Sequence, residues 1–162
     1  MGDRPIVFVD FDGVLNSIST RRRWQRQREP ERYMSQPLCA RRIMLLDGLC
    51  RDAGAVVVFS TAWRMFWPES PTETLLDFLR EGGFTGEAIG STPDLLTLSA
   101  APSTRGLEIK TWLDESAPTA PYVVLEDCEP MDPLPPERIV WTKDQDGLTK
   151  ERVAAALEVL RG

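Results

Sequence analysis

The stretch Ile6-Val7-Phe8-Val9-Asp10-Phe11-Asp12-Gly13-Val14-Leu15-Asn16 decides the fold. Four apolar residues run without alternation, the pattern of a short strand buried on both faces of a parallel sheet. The run ends at once in two carboxylates two residues apart, close enough to share a cation. Gly13 then lets the backbone turn tightly beside a ligand. Three more runs of the same kind follow: Val56 to Phe59, Tyr122 to Leu125 and Ile139 to Trp141. Helix-length segments lie between them. Residues 38–52 repeat apolar side chains at helical spacing and stop at Gly54. Residues 71–81 have Ser70 as cap, Pro71 at the first position and Glu73 completing a capping box. Residues 105–114 put Ile109, Trp112 and Leu113 on one face, and residues 150–161 follow Thr149 as cap.

Strands alternating with helices predict an α/β domain around a central, mostly parallel sheet. Ligands bind such sheets at the carboxyl ends of the strands. The residues just past the four runs are Asp10 and Asp12, Ser60 and Thr61, Glu126 and Asp127, and Thr142, Lys143 and Asp144. Acidic and hydroxyl groups from distant parts of the chain therefore gather at one edge.

The 162 residues fit one domain with a core of its own. Hydrophobic residues at 42% and charged residues at 27% are a globular composition. There is no histidine, which excludes Ser-His-Asp and Cys-His hydrolases, phosphohistidine phosphatases and His-ligated zinc. Cys39, Cys50 and Cys128 lack the spacing of a zinc site or a disulfide framework, and none opens a C-x5-R phosphatase loop. Catalysis is left to carboxylates, hydroxyls, Lys, Arg and hard metal ions. No apolar run is long enough to span a membrane. The chain opens directly into its first strand rather than a signal peptide, so a cytoplasmic protein is expected.

With these residues in place, the first stretch resembles motif I of the haloacid dehalogenase-like (HAD) superfamily, an apolar strand followed by D-x-D-G-[VT]-L. The resemblance implies a HAD-like Rossmannoid three-layer sandwich with a minimal cap, spanning residues 1–162 as a single domain. It implies a Mg2+-dependent phosphatase acting through an aspartyl-phosphate. Asp10 would be the nucleophile and Asp12 the acid/base. Ser60 resembles the motif II hydroxyl, with Thr61 the near alternative. The motif III cation is Arg105 or Lys110; Arg105 lies at the helix start, Lys110 about 7 Å further along the axis. Glu126 and Asp127 resemble the acidic pair of motif IV, and Mg2+ would be held by Asp10, Asp12, Asp127 and Glu126. Ser60-Thr61-Ala62-Trp63-Arg64, the segment from Arg105 to Leu113, and Gly147-Leu148-Thr149 look similar to a small HAD branch associated with RNA-repair and phage proteins.

Substrate choice in the superfamily rests on inserted caps, and this chain is too short for a full one. An open site suits bulky substrates such as nucleic-acid ends. Residues 20–42 hold eight arginines against Glu29 and Glu31, although the whole chain carries a net charge of -6. This basic insert, about residues 17–37, with Arg21 to Arg28 beside Trp24, is a candidate contact for a nucleic-acid end. Thr61, Arg64 and Gly13 are candidate substrate contacts, and Trp63, Phe66 and Trp67 a candidate aromatic wall. The expected substrate is a nucleotide or the phosphorylated end of a nucleic acid. The rivals are a small phosphorylated metabolite, or a receiver-like binding module with no turnover.

Overall fold

The computed structural model describes residues 3–18, 38–95 and 102–162. In chain order they form β1 (Ile6–Val9), α1 (Ala40–Ala53), β2 (Val56–Phe59), a 3-10 turn (Ala62–Phe66), α2 (Pro71–Glu81), β3 (Ala88–Ser91), α3 (Arg105–Ser116), β4 (Tyr122–Glu126), a short 3-10 turn (Pro136–Arg138), β5 (Ile139–Trp141) and α4 (Lys150–Arg161). The strands make one sheet in the order β3-β2-β1-β4-β5. Every pairing is parallel, so the expected mostly parallel sheet is wholly parallel among the described residues.

The strand order reverses at β1. The chain moves outward through β2 and β3, then crosses back to lay β4 on the other side of β1. β1 is registered against both neighbours, with Val9 level with Phe59 on β2 and Leu125 on β4. Asp10, Ser60 and Glu126 therefore emerge side by side at the switch point, the crevice where open α/β sheets take ligands.

Alternation along the strands sorts the core into two layers. Val7, Val9, Val57, Phe59, Val123 and Leu125 pack with Ile43 and Leu46 of α1, Leu75 and Leu79 of α2, and Ala156 and Leu160 of α4. Ile6, Phe8, Val56, Val58 and Val124 pack with Ile109 and Leu113 of α3, and with Met131 and Leu134. Three helices cover one face and one covers the other, giving the three-layer sandwich. Burying each large apolar side chain contributes about 1.5–3 kcal/mol.

The four apolar runs are strands within a residue of their expected bounds, and the helix over 71–81 has its expected limits. Two local expectations need correction. The Ser70 side chain makes no capping bond to α2; its hydroxyl faces Thr74 Oγ1 at 3.5 Å. The strand β3, Ala88-Ile89-Gly90-Ser91, was not anticipated from sequence. It is a half-exposed edge strand containing glycine, so it lacks the continuous apolar run that marks the others. Thr104 caps α3, accepting from the Leu107 N–H at 3.0 Å.

No helix among the described residues is long and apolar enough to cross a membrane. Between Thr61 and Arg105 the described residues build only the 3-10 turn, α2 and β3, with no separate cap module. Most of the basic insert, including Arg21 to Arg28, lies outside the described residues.

Candidate active site

The parity of the sheet places the site. Asp10, Ser60 and Glu126 continue the even positions of Phe8, Val58 and Val124, so they lie on the face that α3 covers. The first turn of α3 stands over the same edge. It is held there by the proline-rich loop after β4: the Gly106 N–H donates to Pro130 O at 3.1 Å, and Thr104 Oγ1 donates to the Asp132 carbonyl. A Cβ on Gly106 would come within 1.9 Å of Met131 O. Only a residue without a side chain lets helix and loop meet this closely, and that contact sets where Arg105 sits. Asp132 enters through its backbone.

Asp10 is buried. Its Oδ1 accepts from the Phe11 N–H at 2.8 Å. Burial pushes its carboxyl above the ordinary aspartate value, while the nearby Arg105 charge and hydrogen bonds from Phe11 and Thr61 pull the other way. Glu126, fully buried, sits against Asp10. Burial first, and then the Asp10 charge, push it up to about 10. Two buried carboxyls side by side cannot both ionise unless a cation joins them.

Three buried side-chain atoms have no hydrogen-bond partner among the described residues: Ser60 Oγ, Arg105 Nη1 and Glu126 Oε2. All three belong to this one edge. Buried polar groups are normally paired, and one left unpaired costs about 1–3 kcal/mol. A hydroxyl, a guanidinium nitrogen and a carboxylate oxygen around Asp10 are a cradle for a charged group that the fold itself does not supply.

The hydroxyl alternatives separate by geometry. Ser60 Oγ is the orphaned one, and its N–H is held by Val9 O at 3.1 Å. Thr61 Oγ1 accepts from the Trp63 N–H at 3.2 Å as the cap of the 3-10 turn, leaving its O–H for Asp10. The cation alternatives separate too. Arg105 acts electrostatically on Asp10 and Glu126. Lys110 is exposed and pairs with Asp114 Oδ2 at 2.5 Å, one turn further from the sheet edge.

Asp127 enters from β4. Glu126, Asp127 and Cys128 each bring a ligand atom within 4.8 Å of the others. The Cys128 thiol is pushed up to about 11 by burial and by Asp127, Glu126 and Glu129, so it stays protonated and suits a hard cation poorly. Gly13 has φ +77, and a Cβ there would lie 2.1 Å from Asp127 Oδ2. Its close approach is thus to Asp127, and its N–H is taken by Asn16 Oδ1 at 3.1 Å. Gly13 thus lets the motif I loop and the β4 carboxylate close together.

Arg64 departs from expectation. It is buried, and all three guanidinium nitrogens are engaged: with Thr92 O at 2.9 Å, Thr61 O at 2.7 Å, Pro93 O at 3.2 Å and Glu108 Oε2 at 2.8 Å. The side chain ties the turn after β2 to the exit of β3 and to α3, and its fork is turned to these partners rather than to a phosphate.

Sequence reasoning missed what surrounds Asp12. Its carboxylate accepts from Trp63 Nε1 at 3.0 Å and from Asn16 Nδ2 at 2.8 Å. It also missed the strap beneath. Thr142 Oγ1 donates to Gly13 O at 2.8 Å, and the Leu148 N–H to Val14 O at 2.8 Å, while the Ile18 N–H donates to Asp144 O at 2.8 Å. The placement of Thr142 and Asp144 past β5 and the Gly147-Leu148-Thr149 stretch were the signals for this strap. The aromatic wall divides: Trp63 is buried, Trp67 packs at the core edge, and Phe66 is 65% exposed.

A family model described as the HAD domain in Swiss Army Knife RNA repair proteins matches residues 6–153. No curated protein and no solved structure gives a significant match to the chain. The match covers nearly the whole chain, and the protein belongs to this HAD family.

Proposed function

We propose that this HAD domain is a Mg2+-dependent phosphomonoester hydrolase whose substrate is the phosphorylated end of a nucleic acid or a nucleotide. The observation that carries the reading is the convergence of the three unpartnered buried atoms, Ser60 Oγ, Arg105 Nη1 and Glu126 Oε2, around Asp10.

The donor set fits a hard divalent cation. Asp10, Glu126 and Asp127 offer carboxylate oxygens, and the crowding that lifts Glu126 to about 10 is what a cation relieves. Asp10, Asp127 and the Asp12 backbone carbonyl would hold Mg2+, with Glu126 beside them. Mg2+ supplies charge neutralisation at the phosphoryl group and keeps the carboxylates ionised.

Asp10 attacks phosphorus in line. As its Oδ–P bond forms, the P–O bond to the leaving group breaks, and Asp12 gives that oxygen its proton. Water then attacks the aspartyl-phosphate, Asp12 takes a proton from it, and phosphate and free Asp10 are released. Ser60 and the Arg105 guanidinium bind the equatorial phosphoryl oxygens, where negative charge must be held during transfer. Arg105 serves as the cation at the helix start, and Lys110 stays outside the site.

The family description supports a polynucleotide end over a small metabolite. So does Phe66, which offers an exposed ring on the same turn that carries Thr61 and Trp63; a base stacks on such a face for about 1–3 kcal/mol. The Arg21 to Arg28 segment is the proposed contact for the adjoining phosphates. A receiver-like module has no use for an acid/base two residues after its acceptor, which favours turnover.

The experiment compares a nucleotide panel with 3′- and 5′-phosphorylated oligonucleotides at two salt concentrations, with Mg2+. Oligonucleotides turned over faster than mononucleotides, with an advantage that shrinks at high salt, support the reading. Equal, salt-insensitive rates remove the nucleic-acid end, and no phosphate release from any ester removes the hydrolase.

A further inference from the structure

Asp12 is an exposed residue, yet each of its carboxylate oxygens accepts from a neutral N–H of a buried side chain. Trp63 Nε1 reaches Oδ2 at 3.0 Å across a sequence separation of 51, and Asn16 Nδ2 reaches Oδ1 at 2.8 Å. We propose that Trp63 and Asn16 are positioning residues that fix the Asp12 carboxyl for proton transfer to the leaving oxygen. This rests on the acid/base role proposed for Asp12.

Each donor is itself held. The Trp63 ring packs edge-on against Phe11 (centroids 5.2 Å apart, planes at 75°) and against Phe78 (6.1 Å, 88°). Its backbone N–H is tied to Thr61 Oγ1. The indole has one polar group, a donor only, and the packing aims that group at Asp12. Asn16 is fully buried. Its Oδ1 accepts from the Gly13 N–H and its own N–H donates to Phe11 O at 3.1 Å, which turns the Nδ2 face to Asp12.

A carboxylate oxygen has two lone pairs, and each donor occupies one. The lone pairs left over define where the Asp12 proton sits. A general acid works only when that proton points at the leaving oxygen within hydrogen-bond reach. An exposed aspartate otherwise rotates freely about two side-chain torsions, and a misdirected proton loses part of its catalytic worth. The Trp63 contact also ties the acid to the hydroxyl turn after β2, so both groups move together relative to a phosphoryl group.

The test is a leaving-group series with Trp63→Phe, which keeps a packed ring and deletes the N–H. Phosphate esters of poor leaving groups, such as simple alkyl phosphates, need the acid, whereas a dinitrophenyl phosphate departs unaided. The expected result is a loss in kcat/KM, which reports transfer to Asp10 alone, of about ten- to a hundredfold on the alkyl ester, a fraction of the 10²–10⁴ that general acid catalysis supplies. On the dinitrophenyl ester kcat/KM stays near wild type, because the base role of Asp12 enters only after that step. Asn16→Ala removes the other donor and gives the same selective loss, with thermal melts run on both variants to register any unfolding. An equal fall in kcat/KM on both esters in the two variants means ordinary structural damage and overturns the inference. Asp12→Asn in the same series separates the layers. If it loses the alkyl ester selectively while Trp63→Phe does not, the acid stands and its positioning by Trp63 falls. If Asp12→Asn loses neither, the acid role itself is overturned.

Discussion

Two buried polar clusters lie beside each other at the same edge of the sheet, and they are built oppositely. In one, Arg64 meets Glu108 at 2.8 Å and three backbone carbonyls, and Glu108 Oε1 takes the Leu95 N–H at 3.3 Å. Burial lowers the Arg64 pKa and raises that of Glu108, each countered by the other's charge. In the other, Asp10 and Glu126 press carboxyl against carboxyl, with Ser60, Arg105 and Glu126 each keeping an atom without a partner among the described residues. Charge alone does not tell a site from a strut. The satisfied cluster needs nothing further; the unsatisfied one is complete only with a ligand of mixed charge.

The comparison breaks most sharply at Asp10. Asp10→Asn abolishes phosphate release from a generic aryl phosphate with Mg2+, a loss of about 10⁴-fold or more. The same variant, melted without metal, is more stable than wild type, because a neutral amide replaces a buried carboxyl whose charge burial opposes. Loss of activity together with loss of stability would place Asp10 in the satisfied class and undo the contrast.

Arg64→Met behaves in the reverse sense. It strands Glu108 as a buried charge and destabilises by about 3–5 kcal/mol in denaturant titration. The double change Arg64→Met with Glu108→Leu recovers much of that loss. An Arg64→Met protein of wild-type stability with a raised KM would make Arg64 a substrate contact after all.

A smaller effect comes from the cation. Mg2+ at a hundredfold excess over its dissociation constant stabilises the native state by about 2.7 kcal/mol, read as a rise in Tm. Asp127→Asn shrinks that rise, and Arg64→Met leaves it in place.

The smallest is a control at a satisfied carboxylate remote from the site. Asp47 on α1 accepts from the Thr85 N–H at 2.6 Å, from Thr85 Oγ1 at 2.8 Å and from Arg51 at 3.3 Å. Burial alone would raise its carboxyl, but these partners hold it below the ordinary value of 3.8. A lowered pKa stabilises the fold fully above the unfolded value, and that contribution fades as pH falls through the lower folded one. Asp47→Asn therefore costs about 1–2 kcal/mol at pH 7, and the difference from wild type narrows as acid protonates Asp47. A constant difference from pH 7 to pH 2 would refute the assignment.

The sheet was legible because β1, β2 and β4 are central strands that carry uninterrupted apolar runs, and β5, although an edge strand with Trp141 exposed, keeps such a run. The edge strand β3 has solvent on one side and Gly90 within it, so burial left no pattern to read. In the site, Asp10, Glu126 and Asp127 could be placed from strand ends, since period-2 geometry and strand register are local rules. The fate of Arg64 and Trp63 could not. Both follow the same hydroxyl pair, and which of them turns inward to Thr92 and Glu108, or toward Asp12, is decided by α3 and β3 packing against the turn. The choice between Ser60 and Thr61 was likewise open until the cap of the 3-10 turn engaged Thr61.

The strap under the motif I loop sets an order in time. Asp10 and Gly13 are translated ahead of the rest of this domain, but Thr142 closes on Gly13 across a separation of 129 residues, and Leu148 closes on Val14. At about 5–20 residues per second, the nucleophile is translated roughly 6 to 26 seconds before the segment that seats its loop. The first chemistry-bearing residues of this domain are thus among the last to be seated, and a ribosome-bound chain that stops before β5 carries the whole of motif I without its support.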